Sequence, residues 1–195
     1  NNYKQNYSSF NSALAFDEFT SIKTDFVNAF QKLNEYQSST KDYIFGYISY
    51  DVKNDVEKLS SSNFDGLNFS DLYFFQPKKI IFIRDNIIEF KYLRMIEDDI
   101  EIDFESILNI KSNNSEVLNS ENNIKIKLRI HKEDYYNKVN TILNHIKRGD
   151  IYEANFCQEF YAENSMINPI EVYKNLNNIS KPPFAVFFKE DHKYL

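Results

Sequence analysis

The chain has 195 residues, 42% apolar and 16% aromatic with no Trp, and carries a formal net charge of −6. That composition calls for a folded core and argues against disorder; the absence of a basic block or basic helix face argues against nucleic acid or an anionic membrane as main partner. No apolar run approaches the roughly 18 residues of a spanning helix, no charged-then-apolar leader opens the chain, and Cys157 stands alone, so a cytoplasmic location without an internal disulfide is expected.

Asn1 to Ser12 is polar and without period, and Ala13 to Phe19 reads as a short strand or extended piece. Ser21 or Thr24 is placed to cap a helix whose stripe is Ile22, Phe26, Ala29, Phe30, Leu33 and Tyr36. Tyr43 to Tyr50 is aromatic and β-branched, a buried strand in which Gly46 marks a bulge or the close approach of another backbone. Asp51 to Leu59 reads as a short helix capped by Asp51, its Asp55 and Glu57 on a solvated face.

Leu72 to Phe75 is a short apolar run stopped by Gln76-Pro77, and Lys79 to Arg84 and Ile87 to Leu93 flank Asp85-Asn86 as a hairpin. Asp103 to Ile110 is a short helix, 111–123 a polar surface loop and the best candidate for an internal boundary, and Ile124 to Ile130 an alternating, half-exposed strand. Tyr135, Val139, Ile142 and Ile146 recur at helical spacing, with Lys147 and Arg148 in the last turn and Gly149 after it. Asp150 to Phe160 reads as a long strand with Tyr152, Ala154, Phe156, Gln158 and Phe160 on one face, and Ile151, Glu153, Asn155, Cys157 and Glu159 on the other. Asn168-Pro169 starts a helix faced by Ile170, Tyr173, Leu176 and Ile179; Phe184 to Phe188 is a strand, and Lys193 to Leu195 begins another. Helices interspersed with hairpins, without a βαβ repeat, predict an α+β fold with mostly antiparallel sheets in a single domain.

Chemical motifs are few. His131, His145 and His192 lack partners at metal spacing, and neither a Gly-rich phosphate loop nor a nucleophile elbow is present. Glu153 and Glu159, six strand residues apart, would stand about 20 Å from one another, too far to act on one bond.

The segment G-D-I-Y-E-A-N-F-C-Q-E-F, from Gly149 to Phe160, resembles the G-D-x-Y-Q-V-N-x-x-Q-x-F segment of the chorismate-utilising enzymes, which include anthranilate synthase component I and aminodeoxychorismate synthase component I. Gly149, Asp150, Tyr152, Asn155, Gln158 and Phe160 match; Glu153 and Ala154 replace the usual Gln and Val. Phe45 to Asp51 with Glu57, Asp71 to Phe75, the helix from Tyr135 to Gly149, and Pro183-Phe184-Ala185 resemble further family segments in the same order. The resemblance implies the N-terminal half of a two-sheet sandwich like that of anthranilate synthase component I, with catalytic groups and Mg²⁺ ligands expected downstream of Leu195. It offers Tyr152, Asn155, Pro183, Phe184 and Ala185 as ligand or cleft-lining candidates. It also implies chorismate as substrate, Mg²⁺ as cofactor and a glutamine amidotransferase as ammonia-supplying partner. In feedback-regulated members a tryptophan pocket uses the Asn-Pro segment where this chain has Ser180-Lys181-Pro182, and the Leu-x-x-Ser motif that completes it is not found here. The expected parent is aminodeoxychorismate synthase component I, on the route to p-aminobenzoate and folate, with this chain alone inactive. The alternatives are anthranilate synthase component I, or a non-catalytic module that binds an aromatic metabolite or a glutaminase.

Overall fold

The computed structural model describes residues 9–110 and 124–195. The loop expected over 111–123, and with it the candidate boundary, lies outside the described residues. The chain separates into two units, one of Asn1–Asn113 with Lys181–Ala185, the other of Asn114–Ser180 with Val186–Leu195.

The first unit is built on one long strand. β1 (Ser12–Thr24) is followed by α1 (Ala29–Thr40), β2 (Phe45–Ile48), a 3₁₀ turn, the single-turn α2 (Lys53–Val56), β3 (Leu72–Arg84), β4 (Ile87–Tyr92) and α3 (Asp99–Asn109). β3 lies at the centre: β1 pairs along one edge, while β2 and β4 share the other, and all three pairings are antiparallel. Gln76-Pro77 does not stop β3 as expected. Pro77 faces a register shift in β1 between Glu18 and Thr20, a place where its missing N–H costs little. Gln76 is held by a polar network: its backbone N–H donates to the Tyr36 hydroxyl at 3.0 Å, and its side-chain amide donates to Asp42 at 3.0 Å.

Residues Ser21 to Thr24 belong to β1 and not to a helix; Ile22 pairs with Phe74, and α1 begins only at Ala29. Ala29, Val52 and Leu72 form the buried centre, with Ile22, Leu33 and Phe74 packed against it. Gly46 sits opposite Phe74 where a Cβ would stand 1.9 Å from the Tyr73 carbonyl oxygen, so the expected close approach of two backbones is present. The Asp85-Asn86 hairpin forms as expected, with Asp85 in the left-handed region at φ 50°.

Asp51 is not a helix cap. It lies inside the 3₁₀ turn Tyr50–Val52, whose cap position is Ser49, and its carboxylate accepts from Lys53 at 2.8 Å. Asp55 does more than face solvent: it accepts the Asn28 N–H at 2.8 Å and so satisfies a free donor at the start of α1. Asp71 ties the same corner, accepting from the Phe26 N–H and the Ser49 hydroxyl, each at 3.0 Å.

The second unit holds β5 (Lys127–Leu128), α4 (Lys132–Arg148), β6 (Phe160–Tyr161), α5 (Pro169–Ser180), β7 (Lys189–Glu190) and β8 (Lys193–Tyr194). The helix starts and stops are where local chemistry puts them: Asn168 Oδ1 accepts the N–H groups of Ile170 and Glu171 at 3.1 and 3.3 Å, and Gly149 ends α4. The strands are much shorter than expected. β5 and β6 form a two-residue ladder extended by Arg129 N–H to Glu159 O, and β7 and β8 a hairpin extended by Phe188 and Leu195. Residues 151–159 and 184–188 are not strands, because a strand needs a neighbour to accept its N–H groups and the described residues supply one only at these short ladders. The architecture is α+β, with every described sheet pairing antiparallel.

Candidate functional site

The segment that bears the expected site begins where α4 stops. Gly149, at φ 84°, takes the left-handed position that glycine occupies without penalty. Its N–H donates to the Ile146 carbonyl and that of Asp150 to the His145 carbonyl, both at 3.0 Å, the paired bonds of a Schellman cap. The Asp150 carboxylate folds back onto the helix end. It accepts from Arg148 through Nε at 2.9 Å and through Nη2, and it contacts His145 Nδ1 at 2.8 Å. Hydrogen bonds from Arg148 first, then from His145, hold its pKa below the usual carboxylate range. Asp150 is thus occupied in fixing the turn.

A second anchor lies downstream. Phe156 packs on Tyr135 of α4 with ring centroids 5.4 Å apart, and the Gln158 side-chain amide donates to the Ile130 carbonyl at 3.1 Å. Arg129 grips Glu159 through two hydrogen bonds, of 2.8 and 3.1 Å, and its guanidinium lies 4.0 Å from the Tyr161 ring centroid. Between the two anchors the backbone is irregular and joins no ladder, and it presents Tyr152 at 92% exposure together with exposed Asn155. A phenol and a carboxamide held outward from a fixed base can orient a polar ligand by hydrogen bonds; neither supplies a charge or a nucleophile.

Pro183, Phe184 and Ala185 fall in the other unit. Phe184 is 81% exposed, Pro183 exposed and Ala185 half-buried. The five expected site residues therefore form two groups, one per unit. Also in the first unit, an open groove of about 540 Å³ runs between Tyr50, Lys53, Ser60, Ser62, Phe64 and Asp65. Lys53, its cation, is neutralised by Asp51 at 2.8 Å, so the groove offers no free positive charge to a carboxylate ligand.

One cluster was not anticipated. Lys79, on β3 and 8% exposed, places its ammonium 2.9 Å from Asp103 and 3.0 Å from Asp99, with the Tyr92 ring at 5.3 Å. Tyr92 donates its hydroxyl to Asp103 at 2.7 Å. Donating to Asp103, then to Asp99, raises the Lys79 pKa, and the bonds from Lys79 and Tyr92 lower that of Asp103. Burial, with the Asp103 hydrogen bond, raises Tyr92. The signal was in the sequence: a lysine within an apolar strand, and two aspartates four apart, hence on one helix face. With its charges mutually satisfied, the cluster clamps α3 to the sheet.

Among the described residues no group of three or more His, Cys, Asp or Glu side chains converges to hold a metal ion. Asp99 and Asp103 come nearest in kind, and their oxygens are engaged by Lys79. The described residues do not fit a Mg²⁺ site. No helix of the described residues is long and apolar enough to cross a membrane.

Comparison with known proteins adds three findings. A family model for chorismate binding enzymes matches residues 3–195. An anthranilate synthase component I-like protein of Synechocystis sp. is 26% identical over 150 residues, which are 74% of this chain and 30% of that protein. The crystal structure of anthranilate synthase component I from Streptococcus pneumoniae TIGR4 superposes with a TM-score of 0.76 at 16% identity, over 98% of this chain and 50% of that one, a likeness of fold. The chain thus spans half or less of the length of each relative.

Proposed function

The chain belongs to the family of chorismate binding enzymes, and from that premise we propose that it is the N-terminal part of a synthase that aminates chorismate. The observation that carries this reading is the family segment itself: Gly149 and Asp150 spent on a rigid helix stop, with Tyr152 and Asn155 presented outward from it. In this reading Tyr152 and Asn155 bind and orient the ring substituents of chorismate, and Pro183, Phe184 and Ala185 are a second, apolar set of ligand-contacting residues in the other unit. A glutamine amidotransferase supplies ammonia as the nucleophile that replaces a ring hydroxyl. The reading carries Mg²⁺ as a cofactor held by groups other than the described residues.

The product favoured is 4-amino-4-deoxychorismate, on the wording N-F-C-Q-E-F. A second reading, anthranilate synthesis, is favoured by the names of both relatives. The test is to incubate the native gene product with chorismate, ammonia and Mg²⁺ and to separate the products by chromatography with mass detection. Aminodeoxychorismate, which keeps the enolpyruvyl carbons, supports the first reading; anthranilate with pyruvate supports the second; an unaminated product refutes both.

A further inference from the structure

Neither residue offered to a ligand is held by its own side chain. Among the described residues the Tyr152 phenol and the Asn155 carboxamide meet no hydrogen bond, ion pair or ring, and both residues are exposed. A group that orients a ligand has to be aimed by its supports, so here the direction comes from the backbone that carries it. That backbone joins no ladder over residues 151–158, and each free residue adds two soft dihedrals. The aim of each side chain is therefore set by the fixed point nearest to it.

The two fixed points differ in kind. The first is built of charge. Every side-chain contact of Asp150 falls on one oxygen, Oδ2: Arg148 donates to it through Nε at 2.9 Å and through Nη2, and His145 Nδ1 lies 2.8 Å away. Arg148 Nη2 also stands 3.0 Å from His145 Nδ1, so the guanidinium ties imidazole and carboxylate together across the helix end. Tyr152 follows Asp150 by two residues. The second point is built without charge. Phe156 packs on the Tyr135 ring at 5.4 Å, and Gln158 donates to the Ile130 carbonyl at 3.1 Å. Asn155 directly precedes Phe156.

We infer that Arg148 and His145, acting through Asp150, are positioning residues for Tyr152 and not for Asn155, while Phe156 and Gln158 position Asn155 and not Tyr152. The kinetic consequence rests on the chorismate reading: two groups aimed independently hold the ring substituents at two points, and loss of one support loosens one point only.

The aim is read first without substrate, from ¹⁵N order parameters of the native gene product labelled at tyrosine and asparagine amides. Arg148→Ala and His145→Ala each lower the Tyr152 value from about 0.85 towards 0.6 and leave Asn155 unchanged; Gln158→Ala does the reverse. Arg148→Lys keeps a cation at the helix end but lacks the Nε–Nη2 fork, and it gives the same selective loss with the α4 amides still protected from exchange. An unchanged Tyr152, or a loss shared equally by both amides, would overturn the inference. In the reaction, Arg148→Lys lowers kcat/KM for chorismate about five-fold in the wild type and beside Asn155→Ala, and less than two-fold when Tyr152 is already Phe. An equal fall in all three backgrounds would also overturn it, since a general weakening of α4 does not single out Tyr152. A native product that shows the selective loss of order and yet consumes no chorismate would refute the synthase reading and leave the positioning standing.

Discussion

Gly46→Ala is the sharpest perturbation available to the first unit. The added Cβ would stand 1.9 Å from the Tyr73 carbonyl oxygen, 2.6 Å from the Phe74 Cα and 2.8 Å from the Phe74 ring. The first two are backbone atoms of the central strand, flanked by β1 on its other edge, so they cannot swing aside as a side-chain tip would. Relief requires β2 to retreat by about 1 Å, breaking its ladder from Phe45↔Phe75 to Ile48↔Leu72 and loosening Leu72, a member of the buried centre. Overpacking of this kind costs about 3 kcal/mol, at the upper end of its usual range because the obstacle is backbone. With a urea slope of about 2 kcal/mol/M the unfolding midpoint of the first unit falls by about 1.5 M, read by circular dichroism or by exchange of β3 amides. A midpoint shift below about 0.3 M, with β2–β3 exchange unchanged, would refute the close-approach account of this glycine.

Three further outcomes follow from the same kind of reasoning. Lys79→Met leaves Asp99 and Asp103 without their shared cation and is expected to cost about 2 kcal/mol of urea stability, below the figure for a fully buried pair because both carboxylates retain some solvent. Asp103 has its pKa lowered by folding, so its contribution is complete above the ordinary carboxylate value and is lost as pH falls through the folded one; α3 amides should lose protection below about pH 4 in the wild type. Gly149→Ala forces a Cβ into the left-handed region, where the space around it is otherwise open; about 1 kcal/mol, or roughly five-fold faster exchange in the last turn of α4, is expected, with Gly149→Asn retaining most of the protection.

What could be read from the sequence was what short-range chemistry decides. Gly149 after a helical stripe, Asn168-Pro169 before one and Asp85-Asn86 between two β-rich runs each act within a few residues, and each stands as expected. The misread strand and helix bounds share one cause, pairing at a distance. Ile22 falls on the helical stripe of α1, yet the long β3 offers it a ladder partner in Phe74, and tertiary pairing overrides the period. Pro77 ends a strand by local rules, but a register shift in β1 accommodates it. Residues 151–158 alternate as a strand should, yet among the described residues no ladder partner reaches them before Glu159, so the period alone does not make a strand. The candidate site was legible through its family wording. Its geometry was not: the wording gives no hint that Asp150 would be taken up by Arg148 and His145, leaving Tyr152 and Asn155 as the outward-facing pair.

Consumption of chorismate by the native gene product, with and without ammonia and with Tyr152→Phe and Asn155→Ala beside the wild type, tests the central claim most directly. The account predicts ammonia-dependent loss of chorismate, slowed at least ten-fold by Asn155→Ala through lost orientation of the ring, while β3 amide protection stays unchanged. A native product that leaves chorismate untouched under these conditions, or one whose rate ignores both substitutions, would contradict it.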